Sequence, residues 1–250
     1  MDKIDILQRI QEAEMILIGI GEEFDDLNAL KKIPEYLRCR QKMLDEQTEW
    51  LIPALNIIYE KERDEVYQVL SRFAELIAEK NYFVVSVSTN ELIRKVSWRE
   101  KRLVMPCGGS QLKQCVQGCE SGLVGVTEAD WISMKTGGKV DLGVCPECGS
   151  PLILNNIYTE KYDEKGYLDM WAIYTKWLQG TLNRRLLILE LGVGMQCPSV
   201  IRWPFEKVAY FNQKAMFCRV NQTLYQLSEE IKEKGVSISQ NAIDWLNVLC

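Results

Sequence analysis

Four cysteines fall in two tight pairs, Cys115 with Cys119 and Cys145 with Cys148. A fifth, Cys107, stands just ahead of them in MPCGGSQLKQCVQGC, and the chain has no histidine. A C-x3-C pair and a CPEC pair each suit a knuckle, so two chain reversals can offer four thiolates to one tetrahedral Zn²⁺. Four protein ligands leave no position for water, which makes such a site structural, stabilising a small module with little core of its own. The other reading is a set of buried reduced thiols. It must account for the glycines of QGCESG and CPECGS, which stand where tight turns need them. Nine cysteines, an odd number with four in pairs, fit thiolate ligation in a reducing compartment better than a disulfide framework.

Glycines supply the second group. IGIG at residues 18–21 and LGVG at residues 191–194 close two apolar runs. At the carboxyl ends of parallel strands, glycines let phosphates and riboses approach the backbone. Short glycine pairs after strands also serve as simple turns.

These glycines have to be positioned by strands. EMILIGIG (14–21) reads as a buried strand, preceded by an amphipathic helix with Ile4, Leu7 and Ile10 on one face. NYFVVSVSTN reads as a second strand with Asn90 at its carboxyl end, RRLLILELGVG as a third and AMFCRVNQ as a fourth. The stretch from Asp25 to Lys80 is helical in pattern, with Pro34 and Pro53 as breaks, and GYLDMWAIYTKWLQGTL is helical with its aromatic residues in the core. From Gln222 to Leu249 the spacing is again helical, through Leu224, Leu227 and Ile231, then Ile243, Leu246 and Leu249.

Apolar strands alternating with helices predict an α/β fold, a Rossmann-like, doubly wound parallel sheet. The expected division is 1–24, 81–104 and 156–250 for the sheet domain, 25–80 for a helical segment, and the Gly- and Cys-rich 105–155 for an inserted zinc-binding module. Cys39, Cys218 and Cys250 have no partners at a recognised spacing and read as incidental thiols, and EIKEKG as a solvated helix face.

A chain of 250 residues with 47% hydrophobic and 26% charged content has a globular composition. A net charge of -5 and a pI near 5.1 argue against nucleic acid as a partner, because that binding draws on Lys and Arg. No run approaches the ~20 apolar residues of a membrane span, and the N-terminus lacks a basic start and a cleavage site, so a cytoplasmic protein without membrane contact is expected.

The stretch LLILELGVGMQCPSVIRWPFEKVA, followed by FCRVN, resembles the C-terminal half of the cofactor domain of the sirtuin family, and YFVVSVSTN resembles the sirtuin strand that ends in a Thr-Asn or Gln-Asn pair. The paired cysteines fall where sirtuins hold their structural zinc. The resemblance covers most of the chain beyond Asn81 and, weakly, the first strand. It is closest to the bacterial sirtuins that include the macrodomain-linked ADP-ribosyltransferase branch, several of which end the stretch before the zinc in Gln-Cys, as Gln114-Cys115 does here. It implies NAD as cofactor, held by Gly19, Gly21, Thr89, Asn90, Gly192, Val193, Gly194 and Asn221. Thr89 and Asn90 would lie beside the nicotinamide ribose and Asn221 on the adenosine ribose.

Three departures qualify what the resemblance implies. Where the family opens with Gly-Ala-Gly-x-Ser, this chain reads GIGEEFDDL, so Glu22, Glu23, Asp25 and Asp26 put up to four carboxylates near the place of a dianionic group. Leu92 replaces the family's aspartate two residues after Asn90. Eight residues before Cys115, where the family has its catalytic histidine or the glutamine that replaces it in the macrodomain-linked branch, stands Cys107, followed by Gly108. A general base works best with a pKa near the operating pH, and a thiol with a reference value of about 8.5 serves only if its thiolate is stabilised. Otherwise Cys107 is a small turn residue before two glycines.

The function implied is an NAD-dependent protein-lysine deacylase or ADP-ribosyltransferase with Asn90 and Cys107 as catalytic candidates. Loss of the histidine weakens ordinary deacetylation by on the order of 10²- to 10⁴-fold. The alternative is an inactive sensor or scaffold that binds NAD or ADP-ribose and keeps the zinc. A zinc protein without cofactor is a third. An acylated or ADP-ribosylated protein is the expected macromolecular partner.

Overall fold

A computed structural model describes residues 3–25, 30–59, 65–135 and 140–250; Asp26 lies outside them. Its strands are β1 (Met15–Ile20), β2 (Asn81–Ser86), β3 (Leu103–Val104), β4 (Gly108–Cys115), β5 (Val124–Gly125), β6 (Leu152–Asn156), β7 (Leu186–Leu191), β8 (Met216–Val220) and β9 (Gly235–Ile238). Its helices of one turn or more are α1 (Lys3–Glu12), α2 (Pro34–Asp45), α3 (Ile52–Tyr59), α4 (Glu65–Leu76), α5 (Leu92–Lys95), α6 (Glu128–Lys135), α7 (Lys165–Gln179), α8 (Arg202–Phe211) and α9 (Ala242–Leu249). Six strands form one sheet in the order β3-β2-β1-β7-β8-β9, and every pairing in it is parallel. The two halves of the sheet wind away from the border between β1 and β7, the point where a doubly wound sheet opens a crevice at the carboxyl ends of its strands.

Strand periodicity explains both layers. Ile16, Ile18 and Ile20 of β1 point to one face, where they meet Ile6 and Ile10 of α1, Val69, Leu70 and Phe73 of α4, and Ile243 and Leu246 of α9. Met15 and Leu17 point to the other, where Tyr174 and Trp177 of α7 and Phe205 and Ala209 of α8 cover them. Each such Ile or Leu contributes about 1.5 to 3 kcal/mol on burial, so a strand covered on both sides, such as β1, is built from apolar residues. No described helix is long and apolar enough to cross a membrane.

Strands β5, β4 and β6 form a separate antiparallel sheet. Its apolar side shares a core with the helical segment: Leu51 and Ala54 pack with Met134, Leu142, Leu152 and Leu154. Pro34 and Pro53 both lie in the first turn of a helix, where the missing N–H costs nothing, so they mark starts as well as interruptions.

One helical expectation is corrected. Residues 222–234 form turns and irregular backbone, and β9 follows them before α9 begins. Leu227 and Ile231 do reach the core, but from a loop. Gly235 lets that loop return against the sheet, since a Cβ there would lie 2.5 Å from Leu227 Cδ1. Burial from an irregular segment has imitated a 3.6-residue period.

Candidate functional site

Parallel pairing puts the carboxyl ends of β1, β2, β7 and β8 on one edge. That edge gathers Gly21 to Asp25, Val87 to Asn90, Gly192 to Gly194, and Asn221. Gly19 lies one turn of the pleat inside it. A Cβ on Gly19 would stand 2.6 Å from Ile201 Cγ2 and 2.9 Å from Phe205 Cε2, so this glycine admits α8 onto the sheet. At Gly21 a Cβ would stand 2.2 Å from Val193 Cα: the IGIG and LGVG turns press directly on each other.

The acidic turn is wired into that contact. Glu22 accepts hydrogen bonds from the backbone N–H groups of Gly194 (2.6 Å) and Gln196 (3.1 Å), while Glu23 accepts from those of Gln222 (2.8 Å) and Ala242 (2.7 Å), the latter opening α9. Amides at strand ends and helix N-termini are the anion receptors of such a crevice, and here the chain's own carboxylates fill four of them. Burial raises the Glu23 pKa above the usual carboxylate value despite its backbone bonds, and Asp244 and Glu22 push it the same way. Asp25 is buried and accepts from Ser88 Oγ (2.7 Å) and the Thr89 N–H (3.1 Å).

Both asparagines brace the rim. Asn90 donates to the Phe24 carbonyl at 2.8 Å and accepts from the Leu92 N–H at 2.9 Å. Asn221 donates to the Val193 carbonyl at 3.1 Å and accepts from the N–H groups of Thr223 and Leu224. Thr89, 2% exposed, has a buried hydroxyl with no hydrogen-bond partner among the described residues. Leaving such a group unpaired costs about 1 to 3 kcal/mol, a cost that a ribose hydroxyl would offset.

Cys107 is buried in the turn between β3 and β4, and its Sγ donates to Cys197 Sγ at 3.6 Å. That bond, followed by burial and by the charges of Asp25 and Glu22, pushes the Cys107 thiol far above its ordinary pKa, while accepting the same bond draws Cys197 down. With its S–H committed to Cys197, the Cys107 sulfur stands in this arrangement as a proton donor rather than as a base. The sequence offers no signal for Cys197: it is 90 residues away, in the loop that carries β7 into α8.

In the small module, one sulfur from each of Cys115, Cys119, Cys145 and Cys148 lies within 4.8 Å of all the others. Cys115 Sγ and Cys148 Sγ are 3.6 Å apart; a tetrahedron with Zn–S bonds of ~2.3 Å has edges of about 3.8 Å. Gly118 (φ 74°), inside the first pair just before Cys119, and Gly149 (φ 73°), just after Cys148, lie in the left-handed region that such tight reversals need. The hydrogen bond with Ser121, then the Cys148 N–H, draws the Cys145 thiol down to about 6, while the bond with Cys148 drives Cys119 upward. So many sulfurs at this range cannot all be anions without a cation among them, and the donor set fits zinc.

No protein-family model matches the chain. Among curated proteins it is similar to the protein ADP-ribosyltransferase of Staphylococcus aureus strain Mu50, 20% identical over 259 residues that cover 93% of this chain and 82% of that protein. It is also similar to a probable bifunctional ADP-ribose hydrolase/ADP-ribosyltransferase of Fusarium oxysporum f. sp. cubense, 25% identical over 163 residues, 61% of this chain and 27% of that protein. Among solved structures, Sir2Tm bound to a propionylated peptide matches with a TM-score of 0.59 at 13% identity, over 100% of this chain and 97% of that one. Sir2 with a p53 peptide and NAD+ matches with a TM-score of 0.59 at 11% identity and the same coverage. The chain has the sirtuin fold.

Proposed function

We propose that this sirtuin-fold chain is an NAD-dependent ADP-ribosyltransferase in which base-assisted deacetylation of lysine has been lost. The observation that carries the reading is the buried hydroxyl of Thr89, without a hydrogen-bond partner among the described residues, beside Asn90 at the rim, where Cys107, its S–H donated to Cys197, would stand at the base position. NAD supplies an ADP-ribosyl group with nicotinamide as leaving group. Thr89 and Asn90 would hold the ribose next to it, and Asn221 with Gly192 to Gly194 the adenosine side. Deacetylation needs a group to take a proton from a ribose hydroxyl, and Cys107, whose S–H is donated to Cys197, is not placed as that group. Transfer to an acceptor that brings its own nucleophile makes no such demand on the chain. The names of the two curated relatives support the same chemistry.

A second reading, a non-catalytic NAD or ADP-ribose sensor or scaffold, is favoured by Glu22 and Glu23, because a pyrophosphate has to displace both carboxylates from the amides they occupy.

The test is nicotinamide release and label transfer from NAD, with an acyl-lysine peptide and with an acceptor protein, in the parent, Cys107→His and Cys107→Ala. Transfer without deacetylation is expected in the parent and in Cys107→Ala, and some deacetylation in Cys107→His alone. Nicotinamide release in none of the three, with NAD still bound in calorimetry, would leave the sensor reading. Deacetylation by the parent that disappears in Cys107→Ala would show that the thiol participates after all.

Neutralising Glu22 and Glu23 together (Glu22→Gln, Glu23→Gln) is expected to tighten NAD binding roughly tenfold at low salt, and less at high salt, because the repulsion is screened over ~10 Å at 0.1 M. A raised pKa means that Glu23 takes up its proton earlier than an ordinary glutamate as pH falls, while the pyrophosphate stays ionised. Affinity of the parent should therefore rise from pH 7 to pH 5 and that of the double variant should not. Calorimetric titration that finds equal affinity for both proteins at low salt would show that these carboxylates do not compete with phosphate.

A further inference from the structure

Cys107 and Cys197 come from opposite sides of the crevice. Cys107 sits where the chain leaves β3 for the small module, and Cys197 where it leaves β7 for α8. Their sulfurs meet at 3.6 Å, both are free thiols, and neither belongs to the cluster of four. Cys107 is 1% exposed, packed with Val87 and Val193, whereas Cys197 is only partly buried and can meet a small reagent from solvent. The turn of Cys107 is tied down around it: the Gly108 N–H reaches back to the Met105 carbonyl, and the Ile157 N–H bonds the Cys107 carbonyl.

We propose that Cys107 and Cys197 are a redox-active dithiol: a peroxide converts them to a disulfide that ties the small module to the main sheet at the crevice, and a dithiol reductant restores them. This inference goes beyond the proposed activity and holds whether or not NAD binds. A disulfide has a sulfur separation of about 2.05 Å, so the two atoms close by about 1.5 Å, with the mobile share falling to Cys197 in its loop.

Because Cys197 accepts the Cys107 S–H, it is the member that forms a thiolate first. Its sulfur attacks one peroxide oxygen; an S–O bond forms, the O–O bond breaks, and the departing hydroxide takes the Cys107 proton to leave as water. The Cys107 thiolate then attacks the sulfenyl sulfur of Cys197, forming S–S and breaking S–O. The second hydroxide leaves as water with the proton Cys197 released earlier. Two thiols lose two electrons and two hydrogens, and one peroxide becomes two waters. The carboxylate of Glu22 opposes thiolate formation at both sulfurs, and that of Asp25 at Cys107.

The experiment treats the reduced chain with one equivalent of hydrogen peroxide, blocks remaining thiols in acid, and digests with trypsin. Expected is a linked pair of peptides, 103–113 with 186–202, two hydrogens lighter than their sum, that disappears on reduction with dithiothreitol. Cys197→Ser should abolish it. Cys107→Ser should stop the reaction at a Cys197 sulfenic acid that a 1,3-dione reagent captures. The proposal is overturned if the parent keeps both thiols free under peroxide, or if either cysteine links first to Cys115, Cys119, Cys145 or Cys148. Because the linkage is read in the parent, misfolding of a variant does not shelter the idea.

Discussion

Zinc stoichiometry is expected to fall from one per chain in the parent to near zero in Cys148→Ser, with the small module losing its fold. Cys148 is exposed and packs against little, so its replacement creates no cavity and the effect isolates the metal. The module has short strands, β5 being only Val124–Gly125, and a core that borrows Leu51 and Ala54 from the helical segment. Metal bound by four thiolates is coupled to folding by on the order of 10 kcal/mol, more than a unit of this size draws from its own apolar burial. Elemental analysis should follow the zinc, and limited proteolysis should report cleavage between residues 115 and 151 in the variant while the six-stranded sheet resists. A parent without zinc, or a variant that keeps it, would mean that the four sulfurs converge for another reason.

Arg219→Met should be the most costly single change in the main sheet, lowering stability by about 3 to 5 kcal/mol. Arg219, 1% exposed, forms a two-pronged ion pair with the fully buried Glu190 through Nε and Nη2, and Nη2 also reaches Glu206 at 2.8 Å. Methionine conserves most of the volume but leaves Glu190 with Arg202 alone, 3.6 Å away. Domain stabilities of about 5 to 15 kcal/mol make such a loss easy to read in urea denaturation. A buried carboxylate that loses its cation has its folded-state pKa raised, so the variant gains stability below the unfolded pKa of glutamate and loses it as pH rises. The deficit against the parent should be larger at pH 8 than at pH 5, and Glu190→Gln in the same chain should recover part of it. A change within about 0.5 kcal/mol would show that water reaches this pair.

Much of this fold is legible in the residues taken in order. β1, β2, β7 and β8 announce themselves because strands covered on both faces are dominated by apolar residues, the charges of Glu190 and Arg219 being buried only as a pair. β9 does not: GVSI at the edge of the sheet is short and half exposed. Its neighbour, the loop carrying Leu227 and Ile231, buries those side chains without a helix, so apolar spacing there mimics a helical period. The cluster of four cysteines was legible because each half of it is local, two cysteines and a glycine within a few residues, and a zinc-binding set needs only that the halves meet.

The sequence by itself determined the alternation of strands and helices, the two knuckles, the absence of histidine and the acidity of the first turn, since all of these are local in the chain or matters of composition. Where those features point was decided only in three dimensions. Parallel registers align Gly19 with Glu190 and Glu190 with Arg219, so a buried charge lands beneath the N-terminus of α8, and no spacing along the chain encodes that. The same alignment brings the amides after β7 and at the start of α9 to Glu22 and Glu23, turning an acidic loop into the occupant of its own anion sites. It also lays Cys197 against Cys107 across 90 residues. Contacts of this kind depend on how two strands slide past each other, and hydrogen bonds along the whole sheet, rather than the pair of residues concerned, set that slide.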